Sequence, residues 1–175
     1  MVFPWLQVDH LNENGDPVFR DNDGNGSINA NDKAMIGKPM PDFTYGLTLT
    51  ASYKNFDLSV FGNGSVGNDV FMSYSYNRIL YSLKEMYDQR WTPQNLSAKY
   101  ARPQLTNADK YGLSDAYVFD GSYFRIKQIQ LGYTFPKQWT KKIMIDNLRV
   151  YASLDNFFLF TKYPGLDPEV SSTTT

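Results

Sequence analysis

The sequence predicts an all-β chain: antiparallel strands from a transmembrane β-barrel, present here as a partial barrel, with a long loop carrying a short helix. Three observations predict it. Four segments alternate strictly between apolar and polar residues over about ten positions, the span of a tilted membrane strand. The polar side of each segment is mostly Thr, Ser, Gln and Gly, where the open face of a soluble sheet carries more Lys and Glu. Aromatic residues make up 16% of the chain, with 13 Tyr and 12 Phe, and they gather at strand ends, as at the two interfaces of a bilayer.

Residues 1–42 form an extracellular lead-in loop that contains a calcium-loop-like motif. Residues 43–64 form a barrel hairpin. In "FTYGLTLTASY", Phe43, Tyr45, Leu47, Leu49, Ala51 and Tyr53 share one face, and Thr44, Gly46, Thr48, Thr50 and Ser52 the other. Lys54-Asn55 makes a tight turn. "FDLSVFGNG" returns with Phe56, Leu58 and Val60 opposite Asp57 and Ser59. Residues 65–120 form a long extracellular loop with a helix near residues 78–91. Its apolar stripe is Ile79, Leu83, Met86, Tyr87 and Trp91 at helical spacing, and Pro93 follows.

Residues 121–160 form a second barrel hairpin. Ile129, Leu131, Tyr133 and Phe135 face one way; Gln128, Gln130, Gly132 and Thr134 face the other. Leu148, Val150, Ala152 and Leu154 alternate against Arg149, Tyr151, Ser153 and Asp155. Residues 161–175 read as the start of a further loop, with a final strand expected beyond. Connection lengths run long, short, long, short. Barrels of the outer membrane place long loops outside and short turns in the periplasm, so the lead-in and residues 65–120 are expected outside. The helix stripe Ile79, Leu83, Met86 and Tyr87 is then either packing within the loops or a candidate partner surface. Tyr74, Tyr76, Trp91, Tyr100 and Tyr117 are candidates for stacking on sugars, or for packing.

The stretch "RDNDGNGSINANDK" has nearly the spacing of a calcium loop. Such loops need oxygen ligands at positions 1, 3, 5, 7, 9 and 12 and Gly at 6. Counted from Asp21, these are Asp23, Asn25, the carbonyl of Ser27, Asn29 and Asp32, with Gly26 at the turn and Ile28 at the anchoring apolar position. Position 12 is Asp in place of the longer, bidentate Glu, and extended chain precedes the loop where a helix is usual. Two readings follow: a calcium site of modest affinity, suited to an extracellular calcium pool, or a metal-free Asn/Asp/Gly turn.

Composition removes other classes. The net charge of −1 gives no nucleic-acid surface. Without cysteine there is neither a disulfide framework nor a thiolate metal site. A single histidine, His10, leaves no His-based triad or zinc set. No apolar run is long enough for a transmembrane helix, and the first residues lack the form of a signal peptide. Asp57, Asp115, Asp120 and Asp155 supply carboxylates without a fixed pair or a nucleophile, so no enzyme is expected. A soluble or surface calcium-dependent binding or adhesion module is the alternative.

Taken together, "DNDGNGSINANDKAMIGKPMPDFTYGL", "FDLSVFGNGSVGNDVF", "RWTPQN", "FDGSYFRIKQIQLGYTFPK" and "LRVYASLDNFFLFTKYPGLDPEV" resemble, in order, the C-terminal region of the SusC/RagA family of TonB-dependent outer-membrane transporters. The resemblance runs from about Gly15 to Val170. It implies a plugged barrel of 22 strands in the bacterial outer membrane. It also implies import of oligosaccharides or peptides, energy from TonB through N-terminal regions absent from this chain, and a lid similar to SusD, a surface lipoprotein. Plug, TonB-interacting segment, signal peptide and the last barrel strand are not found in the chain, which reads as a piece of such a transporter.

Overall fold

A computed structural model describes residues 4–72, 84–102 and 114–169. The chain divides into two compact units, residues 42–66 with 122–162, and residues 1–41 with 67–121 and 163–175.

The first of these is a four-stranded antiparallel sheet. Its strands are β5 (Phe43–Tyr53), β6 (Phe56–Val66), β9 (Tyr123–Thr134) and β10 (Arg149–Thr161), in spatial order β10-β9-β6-β5. The strands are 11, 11, 12 and 13 residues long, more than the five or six usual in soluble sheets. Lys54 closes the first turn with φ 55°.

Register sorts the side chains. Leu49, Val60, Ile129 and Leu154 form one row, and Ala51, Leu58, Leu131 and Ala152 the next. Thr50, Ser59, Gln130 and Ser153 form a row on the opposite face. The apolar face is not covered: Leu47, Leu49, Leu131, Val150 and Leu154 are all at least half exposed. Among the described residues only Met86, Tyr100 and Phe119 are buried large apolar side chains. A soluble sheet hides its apolar face against a second layer; among the described residues of this chain nothing covers it. No helix among the described residues is long and apolar enough to cross a membrane, a criterion that does not apply to strands.

The apolar face stays continuous because of a bulge. Between the same two rungs β6 advances one residue (Phe61 to Gly62), β9 two (Gln128 to Ile126) and β10 three (Asp155 to Phe158). Lys127 is the extra residue on β9; Asn156, with φ 53°, and Phe157 are the extra ones on β10. The slip lets Ile126 and Phe124 share a face with Ile129 despite opposite parity. At this end Tyr45 stacks on Phe124 at 5.8 Å, and Phe124 on Phe160 at 6.3 Å. Gly64 lies between Tyr45 and Phe124 in register. A Cβ there would sit 2.4 Å from the Tyr123 carbonyl and 2.7 Å from the Tyr45 ring, so only glycine lets the rings meet. On the polar face Arg149 forks onto Asp57, with Nε 3.0 Å from one carboxylate oxygen, tying β10 to β6 across β9.

Among its described residues the other unit contains three two-stranded pairings. These are β1 (Pro4–Trp5) with β4 (Ala34–Met35), β2 (Val8–Leu11) with β3 (Pro17–Phe19), and β7 (Asp69–Phe71) with β8 (Val118–Asp120). The lead-in expected as loop thus carries one short hairpin, β2–β3, and a two-residue pairing of its ends, β1 with β4. Of the helix expected near residues 78–91, the described part is α1 (Lys84–Asp88); Ile79 and Leu83 lie outside the described residues. Met86, Tyr100 and Phe119 form the core, with Met72, Tyr117 and Tyr163 against it. Arg102 pairs with Asp16 at 2.9 Å, and its N–H donates to the Gly15 carbonyl.

Candidate functional site: a carboxylate loop, a charged cleft and a two-faced wall

The loop of residues 21–32 closes on itself through backbone donors. Asp21 accepts from the Gly24 and Gly26 N–H groups, each at 2.7 Å. Both glycines hold φ above +70°, where a side chain would be strained. Asp32 is fully buried. It accepts from Asn22 N–H at 2.8 Å through one oxygen and from Asn29 N–H at 2.7 Å through the other. Asn29 in turn caps the short 3₁₀ turn Ala30–Asp32 in a reciprocal capping box. Asn25 accepts from Ser27 N–H at 2.8 Å, and its amide donates to Asp23 at 2.7 Å.

These contacts bring one carboxylate oxygen each from Asp21, Asp23 and Asp32 within 4.8 Å of one another. Three like charges so close repel, and N–H dipoles offset only part of that. The N–H groups of Gly26, and then Gly24, hold the Asp21 carboxyl below the usual aspartate range. An all-oxygen, carboxylate-rich set suits a hard divalent cation such as Ca²⁺. Two details of the loop bear on the sequence expectation. The Ser27 carbonyl, expected at position 7, accepts from the Asn29 amide at 2.9 Å. Ile28 is exposed rather than anchored: the loop joins β3 to a 3₁₀ turn, and no flanking helix offers it a pocket.

The candidate partner residues split. Met86 is 8% exposed and belongs to the core, whereas Tyr87 is 59% exposed and carries the Arg90 guanidinium over its ring at 3.7 Å. Met86 is committed to the core, so of the two only Tyr87 is open to a partner. Of the residues considered for sugar stacking, Tyr100 is in the core and Tyr117 packs on it. The Trp91 ring lies against Gly15, and Tyr74 and Tyr76 are outside the described residues.

A cleft of about 310 Å³, not foreseen from sequence, is lined by Asp9, His10, Lys99 and Asp115 with Val8 and Leu11. Asp115 accepts from Val8 N–H at 2.9 Å. Lys99 pairs with Glu85 at 2.9 Å; the pairing raises the lysine and lowers the carboxyl. Three distant chain segments build this cleft, so no local motif marks it.

No family model matches the chain. It is 36% identical over 161 residues to TonB-dependent receptor P3 of Formosa agariphila, covering 90% of this chain and 16% of that protein. It is 37% identical over 164 residues to TonB-dependent receptor SusC of Bacteroides thetaiotaomicron, covering 91% and 16%. The chain thus spans about a sixth of the length of these relatives. Its fold matches the RagAB peptide importer in the open-open state with TM-score 0.73 at 22% identity, covering 95% of this chain and 19% of that one. The closed-closed state matches with TM-score 0.71 at 23% identity, covering 95% and 20%. The exposed apolar face, the polar face behind it and these relatives agree: the chain is a stretch of the SusC/RagA family of TonB-dependent receptors.

Proposed function

We propose that the chain supplies four wall strands and adjoining loops to an outer-membrane transporter. That transporter imports oligosaccharides or peptides, with energy from TonB delivered through regions outside this chain. The observation that carries this reading is the register itself. Four strands align every apolar row on one exposed face and every Thr/Ser/Gln row on the other, as a barrel wall between outer-membrane lipid and a polar lumen requires. The relatives named SusC and RagAB support the nutrient-import reading, and through it a SusD-like surface lipoprotein as lid.

We propose exposed Tyr87, with Arg90 above its ring, as the described part of the candidate partner surface, facing the lid. The test uses the full-length transporter. Tyr87→Glu should leave outer-membrane assembly intact and reduce co-purification of the lipoprotein. Full co-purification with normal assembly removes this surface from the proposal. Deleting the transporter should abolish growth on one glycan or peptide source. Unimpaired uptake of every tested source speaks against import.

The carboxylate loop is proposed to hold Ca²⁺ through Asp21, Asp23 and Asp32, with Asn25 and Ser27 as further oxygen donors. The convergence of three carboxylates favours this over a bare turn. Calcium titrated calorimetrically into the full-length protein should give heat that disappears in the Asp21→Ala/Asp23→Ala variant. The same flat response from both proteins at millimolar calcium would leave the loop as a turn.

A further inference from the structure

The link between β9 and β10 is short, yet it is a folded knob. It contains α2 (Lys137–Thr140) and a 3₁₀ turn, Lys141–Ile143. Trp139 N–H donates to the Pro136 carbonyl at 2.9 Å, and Ile145 N–H to the Thr140 carbonyl at 3.1 Å. Thr140 is buried inside it. A knob closed this way presents its side chains in fixed positions. What it presents is apolar: Trp139 is 60% exposed, Met144 is 96% exposed, and Ile145 is exposed beside them. Lys137, Lys141 and Lys142 are interleaved with them and are exposed as well.

Two further observations say what covers this surface. First, it continues the apolar face of the sheet. Phe135 N–H bonds the Leu148 carbonyl at the base of the knob. Phe135 meets Tyr133 edge-on at 5.0 Å, and Tyr133 meets Phe56 at 4.7 Å. Second, the neighbouring turn has the same chemistry. Lys54 lies over the Tyr53 ring at 5.2 Å, and the Asn55 carbonyl accepts from Thr134 N–H, placing both turns at one end of the sheet. This end carries Lys54, Lys137, Lys141 and Lys142 against one unpaired carboxylate, Asp146, since Asp57 is occupied by Arg149. Trp and Tyr rings settle at the level of lipid headgroups, and lysines beside them attract anionic lipid.

We propose that this knob is an interfacial anchor. Trp139 and Met144 enter the phospholipid leaflet at the short-turn end of the wall, and Lys137, Lys141 and Lys142 engage the phosphates of anionic phospholipid. The proposal rests on the membrane-wall reading above. It adds a lipid-selective contact that the wall alone does not supply, and it fixes the depth of the four strands.

The test is made on the full-length transporter in phosphatidylcholine bilayers with or without phosphatidylglycerol. An environment-sensitive fluorophore is placed at Trp139→Cys, and separately at Leu131→Cys on the wall. The label at position 139 should be quenched by phospholipid spin-labelled near the headgroup, more strongly with phosphatidylglycerol. The triple variant Lys137→Gln/Lys141→Gln/Lys142→Gln should keep quenching at position 131. Its ratio of co-purified phosphatidylglycerol to phosphatidylcholine should fall on the order of a hundredfold. Quenching at 131 without quenching at 139 overturns the anchor and leaves the wall standing. Shielding of the 139 label by a soluble periplasmic protein fraction, with no lipid quenching, makes the knob a protein-binding face and overturns the proposal. Equal behaviour in the two lipids overturns the anionic assignment. Quenching at neither position removes the membrane-wall reading, and the anchor with it.

Discussion

Replacing Ile129 with arginine tests the two-faced wall most directly. Aromatic rows bracket β9 at Phe124 and Tyr133, nine residues apart. Lys127 is the extra residue of the bulge, so the rows are eight rungs apart, as Phe56 and Gly64 are on β6; at about 3.3 Å per rung the interval is about 26 Å along the strand. Tilted by about 40°, it is about 20 Å high, within the apolar band of about 25 Å in outer-membrane barrels. Ile129, paired with Val60, lies four rungs from each row, so it sits at mid-depth, between Val60 and Leu154. An arginine there should cost about 2–4 kcal/mol. At Leu131, two residues from the Tyr133 row, the cost should be smaller, and at Tyr133 about 0–1 kcal/mol. Gln130→Arg, between Ser59 and Ser153 on the polar face, should cost little. The assay is reversible guanidinium unfolding of the full-length protein from lipid bilayers, followed by tryptophan fluorescence. Equal costs at Ile129 and Gln130, or a cost that rises from Ile129 toward Tyr133, would refute the reasoning.

Gly64→Ala should destabilise the wall by about 1–3 kcal/mol, since its Cβ meets the Tyr123 backbone; a heat-modifiability gel reads the loss of folded barrel. Met86→Ala should cost about 2–5 kcal/mol locally and Tyr87→Ala under about 0.5 kcal/mol, read as hydrogen-exchange protection across residues 84–102. The Asp21 carboxyl is depressed in the folded loop by the Gly26 and Gly24 N–H groups. Its stabilisation is therefore fully present above the unfolded value of about 3.9 and is lost as pH falls through the lower folded value. Gly24 and Gly26 amide protection should drop in that acid window, and protection unchanged by acid would sever the link.

How much was legible depended on how local each feature is. Strand faces have period two, so Leu47, Leu49, Leu131 and Val150 could be assigned from their neighbours alone, as could the turn at Lys54. The carboxylate loop was legible for the same reason: its donors lie within twelve residues, and Asx-type bonds between near neighbours close it. Other features depend on pairing between distant segments. Nothing in "YFRIKQIQ" says that the parity of the apolar face changes at Lys127; the rungs to β6 and β10 decide it. The inward turn of Met86, the burial of Tyr100 and the cleft around Lys99 come from segments brought together only in the folded unit. The exposure of Ile28 has the same origin, because an anchoring position needs a pocket, and a pocket belongs to the tertiary structure.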